Sequence, residues 1–258
     1  MRTTIIIPAR LCSTRLDKKL LLPGPDNKTV LQHAWENACN AKLAESVYIT
    51  TDSGQIKHTA EAFGANVIFL DAGNYKTGTD RVAATVYHLP KEPDLIINMQ
   101  ADEVELRGDD IDKLITLHGY ETVSTAAVKL IDYEEYISPE TVKVVFDKTT
   151  RHARIFSRGL IPYMPNNYFY WILQGKGPRA YAYKHVGIYL YRKDVLRHFS
   201  TLDRSVNEQV ESLEQLRLID ADIPIKVHCI GENGLHPKWP ISINTQESYN
   251  QWLAHSSA

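Results

Sequence analysis

Four cations, Arg10, Arg15, Lys18 and Lys19, crowd into one loop directly after the apolar run 3–7 and Pro8. In a chain of net charge −2, such a cluster suits a polyanion. A triphosphate fits because Arg and Lys pair with phosphate oxygens through charge-assisted hydrogen bonds. A solvated basic loop has the same composition; position favours the ligand, since open α/β sheets bind ligands beyond the carboxyl ends of their strands. Asp102 and Glu103 follow another apolar run, 95–99, and are expected at the same crevice. A carboxylate beside phosphates suits Mg²⁺, which takes one or two protein carboxylates together with phosphate oxygens. Side chains alternate along extended backbone, so Asp102 and Glu103 should point to opposite sides and only one should reach the metal. Thr77, Gly78, Thr79, Asp80 and Arg81 open a helix, where a threonine cap, a close backbone approach at Gly78 and free N–H groups favour an anion or a base edge. Glu208, Glu211 and Gln215 stand at i, i+3 and i+7 of a helical pattern and so share a stripe, either a solvated face or a comb of acceptors for sugar hydroxyls. His185, inside a strand-like run, is either satisfied within the fold or part of a site.

The elements that must hold these residues alternate through the first half. Runs 3–7 and 95–99 read as buried strands, 46–50 and 66–70 as further strands, and 29–42, 56–63 and 79–88 as helices, the second stopped by Gly64. Continuous apolar strands joined by helices predict a mostly parallel sheet covered on both faces, an α/β fold. The second half is less regular. Residues 142–146 and 185–191 read as strands, and 206–221 as one amphipathic helix with Val210, Leu213, Leu216 and Ile219 on its apolar side. A strand near 225–230 and a helix near 245–254 follow. The aromatic segment 163–179 is a lid, an interface arm or an irregular loop packed by its own rings.

Composition narrows the function classes. Length 258 suits one large domain or one with an inserted lobe. A pI near 6.6 argues against a general nucleic-acid binder. No stretch has the roughly 20 apolar residues of a membrane span, and no signal peptide is expected. Cys12, Cys39 and Cys229 are odd in number and widely spaced, the pattern of reduced cytosolic thiols, so a cytoplasmic location is expected.

Ordered along nearly the whole chain, the motifs IIPAR (6–10), STRL (13–16), TTD (50–52), TGTDR (77–81), QADE (100–103), VKVVFD (142–147), IFSRGLIP (155–162), KHVGIYLYR (184–192) and EQVESLEQLR (208–217) resemble the 3-deoxy-manno-octulosonate (Kdo) cytidylyltransferases, or CMP-Kdo synthetases. The resemblance implies a Rossmann-like nucleotide-transferase fold with a smaller dimerisation lobe. It implies a nucleotide half at 1–130, an acceptor-sugar and dimerisation half at 131–230, and a closing segment at 231–258. It implies transfer of CMP from CTP to the anomeric hydroxyl of Kdo, with Mg²⁺, in a homodimer.

Carried over residue by residue, Arg10, Lys19 and Asp102 become the catalytic set. Pro8, Ala9, Arg15, Thr51, Gly78, Thr79 and Arg81 join Arg10 and Lys19 around the nucleotide. Gln100, Arg158, His185, Tyr189, Glu208, Glu211 and Gln215 become partners of the acidic sugar, and Asp102 and Asn244 the metal ligands. The chain departs from the family pattern at three places: Asp17-Lys18-Lys19 replaces Pro-Gly-Lys, Ala101 replaces the glycine of Gly-Asp-Glu-Pro, and Asn244 replaces the aspartate of Val-Asp-Thr-Pro. These departures keep two alternatives open: a related transferase for another acidic sugar or phosphonate, and a nucleotide-binding homologue without turnover.

Overall fold

Strand β1, Thr3–Pro8, is buried along its whole length, as its run of isoleucines requires. It pairs in parallel with β2, Ser46–Thr51, on one side and with β4, Leu95–Met99, on the other. β2 pairs in parallel with β3, Asn66–Phe69. The carboxyl ends of these strands therefore lie along one edge, with Pro8 beside Thr50 and Ile6 beside Asn98 in the register. Strand β8, Tyr183–Arg192, runs antiparallel to β4, placing Tyr189 opposite Asn98. In this computed structural model the described residues are 1–13, 15–71, 73, 75–130, 132–164, 182–231 and 242–255. Most of the aromatic segment 163–179 lies outside them.

The chain divides into two compact units. The first comprises Met1–Gly119, Gly187–Thr201 and Trp239–Ala258, and the second Tyr120–Val186 and Leu202–Lys238. The first contains β1 to β4 and most of β8. Its core is Ile5, Ile6, Ile7, Leu31, Ile49, Leu95, Ile96 and Ile97, all inaccessible to solvent. Each such aliphatic side chain contributes about 1.5–3 kcal/mol by leaving water. Helix α1, Val30–Cys39, is capped by the Thr29 side chain, and α2, Gly54–Ala62, by Ser53. Gly64 adopts φ +88 just beyond α2, a conformation that favours glycine. Helix α3, Gly78–Val86, starts with a capping box between Thr77 and Asp80. Strand β3, expected over 66–70, lies at the sheet edge with Phe69 exposed.

In the second unit, β5, Val123–Lys129, pairs in parallel with β9, Ile225–Cys229. β6, Lys143–Phe146, pairs antiparallel with β7, Ala153–Ser157, and with Tyr183 and Lys184 of β8. The single helix expected over 206–221 is two helices, Val206–Glu211 and Leu216–Asp220. Ser212 takes φ 53 between them: its own N–H makes the last regular helical bond, to the Glu208 carbonyl, and the Leu213 N–H then turns back to that same carbonyl at 3.2 Å, which ends the ladder. Val210, expected on the apolar face, is consequently 79% exposed, while Leu213 and Leu216 are buried.

Candidate active site

At the end of β1, Ala9 is buried and its N–H donates to the Thr50 carbonyl at 2.8 Å, leaving the exposed Arg10 as the first residue of the basic loop. The loop ends in a 3₁₀ turn at Lys19–Leu21, entered through a left-handed Lys18. There Lys19 Nζ donates to Asp102 Oδ2 at 2.6 Å and to Asn244 Oδ1 at 3.1 Å. Arg15 Nη2 donates to the same Asn244 oxygen at 3.1 Å. Four sequence-predicted residues from three distant parts of the chain thus meet in one cluster, with the Lys19 and Asp102 side chains largely buried.

The turn after β4 sends its two carboxylates in different directions. Asp102 goes to Lys19. Glu103 is buried: its Oε1 accepts from the Gly187 N–H at 2.8 Å and its Oε2 from Ser242 Oγ at 2.7 Å. Gly187 is needed there, because a Cβ would stand 2.6 Å from Glu103 Oε1 and 2.9 Å from Gln100 Cγ. Glu103 and Ser242 also form a β-bridge, and the Ile243 N–H donates to the Asp102 carbonyl at 3.0 Å. Asn244 is held in turn by its N–H on Ser248 Oγ. The near-terminal segment is therefore fixed against the 100–103 turn, which brings Asn244 to Lys19.

The opening of α3 lies at the same strand edge. A Cβ on Gly78 would meet Gln100 Nε2 and Pro8 Cγ, each at 3.6 Å. Thr79 is buried and accepts from Asn98 Nδ2 at 2.9 Å. Thr51 is buried, its hydroxyl accepting from the Ser53 N–H. Arg81 is buried, stacks over Tyr75 and donates through Nη2 to Asp52 Oδ2 at 2.6 Å. Its other terminal nitrogen, Nη1, is buried with no acceptor among the described residues. Such an orphaned donor needs a partner. Tyr189 is buried in β8, stacked on Tyr191 with ring centroids 5.8 Å apart.

The remaining candidates belong to the second unit. The Arg158 N–H donates to Glu211 Oε2 at 2.9 Å, Arg158 Nε donates to the Glu211 carbonyl at 3.1 Å, and Arg158 Nη1 donates to the Pro139 carbonyl at 3.0 Å. Ser157 Oγ donates to Glu211 Oε1 at 2.6 Å. Glu208 does not join Glu211 on an open stripe. It is buried, with Arg217 bound to both of its oxygens at 2.7 and 2.9 Å and Arg204 at 3.1 Å. Gln215 is also buried, beyond the break at Ser212. His185 Nε2 lies 3.0 Å from Thr125 Oγ1, and its ring meets Phe156 edge-on. Enclosure pushes this imidazole down to about 3, so it is neutral at physiological pH.

Residues 4–225 match the cytidylyltransferase family. The chain is a cytidylyltransferase. It is 37% identical over 236 residues to the 3-deoxy-manno-octulosonate cytidylyltransferase of Thermodesulfovibrio yellowstonii, spanning 88% of this chain and 89% of that relative. It is 35% identical over 233 residues to the 8-amino-3,8-dideoxy-manno-octulosonate cytidylyltransferase of Shewanella loihica, spanning 88% and 89%. The solved structure of a CMP:2-keto-3-deoxy-manno-octonic acid synthetase complexed with CTP superposes with a TM-score of 0.84 at 32% identity, over 100% of this chain and 99% of that one. The cytidylyltransferase is thus a CMP-Kdo synthetase-like enzyme with an α/β fold.

Two parts of this cytidylyltransferase escape a reading by residue type. Asp52, which orients Arg81, and Ser242, which pins Glu103, carry no chemistry of their own. A third, Lys143, had a signal: one cation inside the apolar run 142–146. Among the described residues no cluster of three His, Cys, Asp or Glu could hold a metal, and no helix is long and apolar enough to cross a membrane.

Proposed function

We propose that this cytidylyltransferase transfers CMP from CTP to the anomeric hydroxyl of a 3-deoxy-2-ulosonic acid, Kdo first, and releases pyrophosphate. The observation that carries the reading is the convergence of Lys19, Arg15, Asp102 and Asn244 at the carboxyl edge of the parallel strands. Cations beside an acidic side chain suit a nucleoside triphosphate with its metal. The relative of TM-score 0.84, whose structure holds CTP, supports the choice of nucleotide.

In this reading the sugar's anomeric oxygen attacks the α-phosphorus, the bond from that phosphorus to the bridging oxygen breaks, and pyrophosphate departs. Arg10, Arg15 and Lys19 hold phosphate oxygens and neutralise charge as it shifts to the leaving group. Pro8, Ala9, Thr51, Gly78, Thr79 and Arg81 shape the nucleotide pocket, with the unfilled Arg81 Nη1 as a donor for the nucleotide. Gln100, Arg158, His185, Tyr189, Glu211 and Gln215 serve the sugar acid, and Glu208 supports them by fixing Arg217. A neutral His185 can hydrogen-bond a hydroxyl without adding charge beside the carboxylate.

Mg²⁺ fits the donor set. Asp102 and Asn244 present hard oxygens that already converge on one cation, the Lys19 ammonium, and Mg²⁺ fills its shell with phosphates and water. When bound, it supplies countercharge for the pyrophosphate that leaves. The reading includes a homodimer. Pyrophosphate release from CTP and Mg²⁺, measured against Kdo, its 8-amino analogue and other sugar acids, tests it. Release is expected with an octulosonic acid; release with none of the panel overturns the reading. A preference for the 8-amino sugar would place the enzyme with its Shewanella relative.

A further inference from the structure

Lys143 is a charged residue whose burial the site described above leaves unexplained. It sits in β6 opposite Ser157 of β7 and Lys184 of β8, and it is inaccessible to solvent. Burying an ammonium is costly unless its hydrogen bonds are satisfied, and an apolar side chain of similar length would fill the same space. Its two described bonds both go to main-chain carbonyls: Nζ donates to Ser138 at 2.9 Å and to Arg158 at 2.8 Å. Arg158 is therefore gripped on both sides of its Cα. Glu211 takes its N–H, and Lys143 takes up its carbonyl. With the backbone fixed, the guanidinium is aimed by its bonds to the Glu211 and Pro139 carbonyls. Moreover, Ser138, which shares Lys143 with Arg158, directly precedes Pro139, so one ammonium ties the two segments that meet at the guanidinium.

We propose that Lys143 is the positioning residue for Arg158, and that through it the enzyme sets the guanidinium that receives the carboxylate of the ulosonic acid. The inference rests on the functional reading above. The charged groups facing Lys143 are Arg158 and Glu211, with Lys184 across the strand pair held by Glu135 at 2.6 Å. Burial, reinforced by Arg158 and partly offset by Glu211, lowers the Lys143 ammonium to about 8. Loss of its proton turns two charge-assisted bonds into weaker neutral ones. The sugar's carboxylate does not titrate in this range, so a change in its binding there reports on the protein.

The test is steady-state kinetics with Kdo and CTP varied separately, for the wild type, Lys143→Met and Lys143→Arg, between about pH 7 and about pH 9.5. In the wild type, KM for Kdo is expected to rise about tenfold across this range while KM for CTP stays level. Lys143→Met should show the raised KM for Kdo at every pH. Lys143→Arg, which stays protonated, should keep the low value and lose the pH dependence. A purely structural role would raise both KM values together or lower kcat alone, and either result overturns the proposal. So does a level wild-type KM for Kdo. If Lys143→Met fails to fold, the wild-type profile and Lys143→Arg decide. An enzyme that releases no pyrophosphate with any octulosonic acid overturns the functional reading and this inference together. One that uses Kdo with a KM indifferent to residue 143 overturns the inference alone.

Discussion

Lys18 and Lys19 are neighbours with opposite situations. Lys18 is exposed and serves as the left-handed entry to the 3₁₀ turn, whereas Lys19 reaches inward to Asp102 and Asn244. Titration calorimetry with CTP should therefore show Lys19→Ala losing about 1.5–3 kcal/mol, the value of a hydrogen bond from a charged group, and Lys18→Ala losing less. Equal losses would mean that the inward geometry does not select the phosphate ligand. Asn244 poses the complementary question. Its oxygen accepts from both Lys19 and Arg15, so a carboxylate placed there would stand between two cations and beside Asp102. Hard cations prefer anionic oxygen. Asn244→Asp is accordingly expected to lower the Mg²⁺ concentration for half-maximal activity, and Asp102→Asn to raise it and nearly abolish turnover. An unchanged Mg²⁺ requirement in Asn244→Asp would remove residue 244 from the metal site.

At the scale of elements, strand β8 owes its place to an absent side chain. Gly187 lets β8 run against the turn after β4, where its N–H meets Glu103 and its carbonyl accepts from the Gln100 N–H. Gly187→Ala should force Glu103 and Gln100 aside and destabilise the protein by about 1–3 kcal/mol, as overpacking does. A denaturant melt unchanged from wild type would show that these side chains yield freely. Such close approaches are invisible in sequence because they join residues far apart in the chain. The parallel strands β1 and β4 were legible for the opposite reason: a strand buried on both faces reads as an unbroken apolar run. Strands β5 and β7 carry no such run. Ser124 and Thr125 of β5 are fully buried, and Ile155 of β7 is exposed. The pair of helices at 206–220 misled because its apolar spacing is helical throughout. The break depends on a left-handed Ser212, and Glu208 turns to Arg217 across it.

For the whole molecule, the candidate nucleotide site was more legible than the sugar candidates. Asp102 follows the end of β4 directly, and Lys19 and the α3 opening lie in the connections that leave β1 and β3, and strand ends in an open α/β sheet are where ligands gather. The sugar candidates other than Gln100 and Tyr189 lie in the irregular second unit, where polar residues such as Glu208 serve internal ion pairs that sequence spacing cannot separate from open ones. The homodimer that the resemblance implies is a prediction for this scale. The aromatics at 168–171, in the segment for which an interface arm was one reading, lie outside the described residues. Within them, Tyr133, Ile155, Leu160, Tyr163, Val206 and Val210 are all exposed and all belong to the second unit. Val206 and Val210 stand one helical turn apart and are 75% and 79% exposed. Single exposed apolar residues are ordinary; the adjacent pair Val206 and Val210 is the place to test for a partner. A second copy is the partner that requires nothing beyond this chain. Light scattering at micromolar concentration should therefore give twice the mass of 29.3 kDa. Replacing Val206 and Val210 by Lys should shift the mass toward the monomer, since two charges would have to be desolvated in the interface. A wild-type monomer at that concentration would exclude the dimer. A wild-type dimer untouched by the double substitution would place the interface elsewhere on the molecule.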